Sequence, residues 1–288
     1  MAPINNKQKA IFYIICSAFF FALMNMFVRM SGDLPSIQKS FFRNLVAFFF
    51  ALFVLIRSDS GFSFQKKNLP AFIGRALFGT LGIFCNFYAV DHLLLSDASI
   101  LNKLSPFFAI LGSYFILKEK ITPIQASAVT IAFCGALLVV KPGFAVADAL
   151  IPSVIGVVGG FCAGIAYTLV RLLGQRGERG PFIVLFFSGF SCLITLPFLI
   201  FDFHPMSGTQ ILILLLAGLS AAGGQFTITA AYTHAPAREV SVFDYTQIIF
   251  AAGLGFLFFS QIPDIWSIIG YCTISGVAVW MFIYNQRH

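Results

Sequence analysis

The chain has 288 residues, 59% of them hydrophobic and 10% charged, with 37 phenylalanines and a mean hydropathy of +0.91. A water-soluble domain is about a quarter charged, so this composition excludes one and requires a lipid surround. The net charge of +7 needs no nucleic-acid partner, because the placement of the basic residues explains it.

Apolar stretches near the length that crosses a bilayer recur along the whole chain. Ten are read in order: residues 10–28, 36–56, 70–90, 96–117, 122–140, 149–171, 181–201, 210–232, 238–259 and 264–284. The loops between them are short and leave no room for a separate soluble domain. The first stretch is too long for a signal peptide and lacks a small-residue cleavage site, so it is expected to stay. With the amino terminus inside, the cytoplasmic segments hold Lys7, Lys9, Arg57, Lys66, Lys67, Lys118, Lys120, Arg171, Arg176, Arg179, Arg238 and Arg287, while Arg29 and Lys141 remain outside. Basic residues collect in cytoplasmic loops, so both termini are expected in the cytoplasm of a plasma or bacterial inner membrane.

The chain also repeats itself. Shifted by 142 residues, Phe19 to Gly32 lies over Phe161 to Gly174, with Val28-Arg29 on Val170-Arg171. The same offset brings Gly82 to Gly224, Phe84 to Phe226, Ala89 to Ala231, Ser99 to Ser241 and Phe108-Ala109 to Phe250-Ala251. Two regions in one register indicate a tandem duplication with boundaries at 1–143 and 144–288. Each copy holds five spans, and an odd number turns the second copy upside down. The expected fold is all-α: ten transmembrane helices as two inverted five-helix repeats, the architecture of an alternating-access carrier with its site between the halves.

Within the spans, Gly156, Gly160 and Gly164 share one helix face, where small residues let backbones approach and slide. Arg29 and Arg171 lie at span ends and are expected to snorkel. Pro106 lies inside the fourth span, where its ring displaces the carbonyl of Asn102 and frees it for another partner. Six cysteines (Cys16, Cys85, Cys134, Cys162, Cys192, Cys272) lie within spans without zinc spacing and read as packing residues. No metal or other cofactor is expected.

Intramembrane charges are functional candidates by default. Arg75 is near the inner end of its span and reads as snorkelling; Lys39 and Asp97 are near the outer edge and read as solvated. Arg43, Lys103 and Asp244 are deeper. At the 142 offset Asn102 falls on Asp244 and Lys103 on Tyr245, so these residues are expected to face each other across a central cavity. Two readings stay open. Asp244 with Lys103 or Arg43 forms a structural ion pair, or the set binds a substrate with a carboxylate and an amine. An anion with Asp244 protonated, or proton coupling through Asp244, fits equally. Asn86, Gln225, Thr229 and Tyr167 add candidate hydrogen bonds, and Phe87, Tyr88, Phe243 and Tyr245 candidate walls. An enzyme is not expected, since no His-Glu-x-x-His, paired aspartates or deep Ser/His set occurs. A channel fits an inverted duplication less well than a carrier. A monomer or homodimer is expected.

These features resemble the drug/metabolite transporter superfamily, in its EamA-type ten-span branch, over nearly the whole chain. The resemblance is carried by Phe42-Arg43 with Ala47, Asp97-Ala98-Ser99 leading to Pro106, Lys118-Glu119-Lys120-Ile121, Gly135, Lys141-Pro142-Gly143, Phe243-Asp244-Tyr245 and Ile249-Phe250-Ala251. It implies a carrier of a small polar metabolite: an amino-acid-like solute, or alternatively an organic anion or a nucleoside-type solute such as S-adenosylmethionine. Gln261 departs from the pattern where a turn glutamate is usual. Cysteine placed at Asp264 is expected to react with an impermeant maleimide from outside intact cells, and one at Gly177 only after permeabilisation; the reverse pattern would invert the topology.

Overall fold

The computed structural model describes residues 6–57, 64–118, 122–140, 147–234 and 241–287. The turn at 119–121, the segment 141–143 and Arg238 therefore lie outside the described residues. Eight described helices are long and apolar enough to cross a bilayer, and two shorter apolar helices, Ala126–Val139 and Phe243–Phe259, complete ten.

In chain order the helices are α1 (Asn6–Met30), α2 (Ser36–Ile56), α3 (Leu69–His92), α4 (Leu95–Asn102), α5 (Ser105–Gly112), α6 (Pro123–Val140), α7 (Ala147–Gln175), α8 (Gly180–Phe201), α9 (Gly208–His234), α10 (Thr246–Phe259) and α11 (Ile265–Arg287). The fourth span is thus α4 and α5 with a break between them, ending in a π-turn at Ser113–Leu117. The ninth is a 3₁₀ turn at Ser241–Tyr245 running into α10. Pro106 was expected to disturb the fourth span, whereas the turn in the ninth was not expected. Proline explains the first break. Pro106 has no N–H, and the Phe107 N–H turns back to the Leu104 carbonyl at 3.0 Å instead of reaching Lys103.

Large apolar side chains cover the outside, and polar groups are buried among a mainly hydrophobic core. Phe12, Phe53, Phe115, Leu257 and Phe201 are exposed, while Lys39, Arg43, Asn44, Arg75 and Ser191 are buried. Lipid accepts the former, and the latter must find partners inside.

The largest helix contacts repeat in a pattern. α1 packs on α9, α7 on α3, α2 on α8 and α6 on α11. Exchanging the two copies turns the α1–α9 contact into α7–α3 and leaves the other two unchanged, as a two-fold pseudo-axis requires. With five spans per half, that axis lies in the membrane plane. Single atoms follow it. Ser17 donates to the Gly224 carbonyl at 3.1 Å; at the equivalent place, a Cβ on Gly159 would lie 3.5 Å from the Gly82 carbonyl.

One end of the bundle is closely tied. Gln38 exchanges two hydrogen bonds with the His204 backbone, at 2.8 and 3.0 Å, and Gln210 donates to the Ser31 carbonyl. Gln261 accepts from the Leu95 N–H at 2.9 Å, a neutral cap on α4 in place of a charged one. Three expectations about charges at this end are corrected. Lys39 is fully buried and pairs with Asp91 at 2.7 Å. Asp97, 9% exposed, accepts from the Tyr271 hydroxyl at 2.5 Å. Arg29 donates to the Val90 and Leu93 carbonyls and lies over the Phe259 ring. Each finds a partner on a neighbouring element, which is a nearer source of solvation than the lipid headgroups. At the opposite end, described ties join Gln65 and Asn68 to Arg176 and Glu178.

The glycine stripe of α7 seats the break. A Cβ on Gly160 would meet the Leu101 carbonyl at 2.6 Å; one on Gly164 would meet Phe108 Cβ at 2.6 Å and the Ser105 carbonyl at 2.7 Å. Gly156 has more room, its nearest neighbour being the Leu101 side chain at 3.1 Å. Gly160→Ala and Gly164→Ala are each expected to cost about 1–3 kcal/mol by overpacking against backbone, and Gly156→Ala less, read as unfolding midpoints in detergent. Equal costs at all three would show that the stripe does not seat the break.

Candidate functional site

At the break, Lys103 ends α4 with its side chain turned into the bundle, 3% exposed. Its Nζ meets Asp244 Oδ2, in the 3₁₀ turn before α10, at 2.5 Å. The next residue completes a second link: the Tyr245 hydroxyl donates to the Lys103 carbonyl at 2.9 Å. That carbonyl is the one Phe107 abandons at the proline break, so the freed acceptor is taken by the opposite repeat. The carbonyl of Asn102, expected to be freed by Pro106, faces Gly160, whose Cβ would lie 3.5 Å away. Since Lys103 and Tyr245 are equivalent positions of the two repeats, these links cross at the pseudo-axis.

A small cavity of about 70 Å³ opens beside this crossing. Of the residues singled out in the sequence, Arg43, Asn86, Asn102, Lys103, Tyr167 and Gln225 line it. Asp244 and Tyr245 stand behind Lys103, as its ion-pair partner and hydrogen-bond donor, and do not form the wall. Asp244 Oδ1 is buried without a hydrogen-bond partner. Thr229 is elsewhere, with its methyl against Gly180. Among the aromatics, Phe87 lines the cavity, Tyr88 stacks on His92 at 4.2 Å, and Phe243 meets Phe282 edge-on.

Asn25, Arg75, Phe187 and Gln247 are among the other residues that line it. Asn25 accepts from Asn86 Nδ2 at 3.1 Å. Arg75 corrects the snorkelling expectation. It is 4% exposed, and its guanidinium lies 4.1 Å from the centroid of the Phe187 ring on α8, directed into the bundle. The signal available in the sequence was Gly79 one turn further along α3. A Cβ there would lie 2.1 Å from Arg75 Nη1, so the glycine makes the space that the guanidinium fills.

Two pseudo-symmetric helix bundles with interrupted helices meeting at a cavity lined by polar side chains are the architecture of a secondary transporter. The profile of the EamA-like transporter family matches residues 8–141 and 151–283, and the chain belongs to that family. It is a multi-pass membrane transporter with two EamA repeats, and the family consists of carriers, not enzymes. The chain is similar to the pseudopaline exporter CntI of Pseudomonas aeruginosa, 32% identical over 91% of this chain and 92% of that one. It is also similar to human solute carrier family 35 member G1, 26% identical over 92% of this chain and 77% of that one. A riboflavin transporter of Rhizobium johnstonii is 26% identical over 96% and 91%. A solved crystal structure shares the fold, with a TM-score of 0.70 over 96% of this chain and 98% of that one at 15% identity.

Removing one member of a buried ion pair strands the other charge and costs about 3–5 kcal/mol, whereas neutralising both is often nearly neutral. Lys103→Gln and Asp244→Asn are each expected to lower the unfolding midpoint of the purified protein, and the double variant to recover most of the loss. Additive losses in the double variant would mean that the two side chains are not coupled.

Proposed function

We propose that this carrier moves a small polar organic metabolite, with an amino-acid-like solute as the leading class, held at the cavity beside Lys103 and Asp244. The observation that carries the reading is the buried Lys103–Asp244 pair joining the two interrupted spans. A solute carrying both a carboxylate and an amine offers each partner a replacement: its carboxylate takes Lys103, and its amine takes Asp244, whose Oδ1 is an unused acceptor. The direct bond between the repeats is then exchanged for one through the solute, and the halves are free to rock about the pseudo-axis. Protonation of Asp244 would release Lys103 in the same way and couple a proton to the cycle. The amides of Asn86, Asn102 and Gln225 and the Tyr167 hydroxyl supply neutral hydrogen bonds on the remaining walls. The names of the relatives, an exporter of pseudopaline and a transporter of riboflavin, agree with an organic metabolite of modest size.

The charge-neutral double variant separates transport from stability. Lys103→Gln with Asp244→Asn is expected to fold and yet to lose at least about 90% of solute flux in proteoliposomes, the equivalent of 1.4 kcal/mol or more. The wild type should show saturable uptake accelerated by solute on the opposite side. Full flux in the double variant would make the pair purely structural and overturn the reading.

A further inference from the structure

Arg43 and Arg75 stand apart from the Lys103–Asp244 pair. Arg43 on α2 is 1% exposed and Arg75 on α3 is 4% exposed, and both line the cavity. Their guanidiniums lie against one ring, Phe187, at 5.9 and 4.1 Å from its centroid. Arg43 Nη1 donates to Asn44 Oδ1 at 2.5 Å, and Asn44 is held in turn by Ser40 and Ser191. Neither arginine has a carboxylate partner among the described residues, and the Nε of each is buried with no acceptor. Lys103 is already neutralised by Asp244, so the cavity wall carries two uncompensated positive charges.

Such a pair is costly. Each guanidinium has lost its water, the two repel each other, and stacking on a shared phenylalanine returns only part of the loss. A structural arginine in a membrane bundle is normally paired or bonded to carbonyls, as Arg29 is here. Gly79 shows that space is set aside for the Arg75 guanidinium. The unfilled Nε positions leave donor edges of the planar forks that accept oxyanions side-on.

From this geometry we infer that Arg43 and Arg75 form an anion subsite of the cavity that selects a doubly negative solute group: two carboxylates of one molecule, or a single phosphate. A dianion neutralises the wall completely. A monocarboxylate leaves one guanidinium uncompensated in a low-dielectric site. The subsite deepens the carrier reading, narrowing an amino-acid-like solute to one with additional acidic groups, and rests on the cavity being where the solute sits.

Equilibrium binding tests it without transport. Calorimetric titration of the full-length protein in detergent with succinate, inorganic phosphate and butyrate should show one of the two dianions binding at least about tenfold more tightly than butyrate, and the tighter of the two names the group. Arg75→Gln should abolish that preference, and Arg75→Lys should restore part of it. Ligand-free Arg75→Gln should melt at or above the wild-type temperature, since it removes a repelling charge; a structural arginine would lower it. Equal binding of all three probes by the wild type, a preference that survives Arg75→Gln, or a lower melting temperature for the ligand-free variant would each overturn the inference. Dianion binding by a protein with no flux would leave the subsite standing and sink the carrier reading. Trans-accelerated flux of a neutral solute with no dianion preference would do the reverse.

Discussion

A polar group inside a bilayer has no water to turn to, and the joint between the two repeats answers that constraint. The proline at 106 breaks the fourth span and releases the Lys103 carbonyl; Tyr245 of the other repeat takes it. The same break directs the Lys103 ammonium inward, and Asp244 of the other repeat takes that. The halves are thus joined at the place where each is internally incomplete. Both members of the ion pair are buried, Lys103 at 3% and Asp244 at 2% exposure.

At the end bearing Met30, Ser36 and His92, the described links between elements include Lys39 to Asp91, Arg29 to the end of α3, Gln38 to His204, Gln210 to Ser31, Gln261 to Leu95, and Tyr271 to Asp97. Three of these place buried or half-buried charges at that end. The cavity lies inward of it, with the glycine face of α7 pressed against the α4–α5 break. At Gly160 and Gly164 the two elements approach with no α7 side chain between them.

Much of the candidate site was legible in the sequence for a specific reason. Lys103, Asp244 and Arg43 are deep in apolar stretches, and the 142-residue offset sets Lys103 and Tyr245 in equivalent positions, so a meeting on the axis followed from symmetry. Arg75 was not legible. Its distance from the span end is compatible with reaching water, and only the packing of Phe187 and the vacancy at Gly79 show that it turns inward. Lys39 and Asp97 were misread for the same reason, since depth along a helix says nothing about which way the side chain leaves it. Pro106 marked the disturbance of the fourth span, but the turn in the ninth was missed, because hydropathy averages over a window longer than a 3₁₀ turn.

The sequence alone determined the membrane class, the ten spans, the duplication and the upside-down relation of its copies. These follow from composition, from the length of apolar runs and from counting to an odd number, none of which needs a contact. Tertiary structure decided which charges pair. Lys103 and Asp244 are 141 residues apart, and their meeting depends on the rotation of each helix about its own axis. It also decided that Arg43 and Arg75, from two different helices, share one aromatic ring. Rotation and crossing angle are set by the fit of neighbouring side chains, such as a phenylalanine against a missing Cβ, and that fit exists only once the helices are packed.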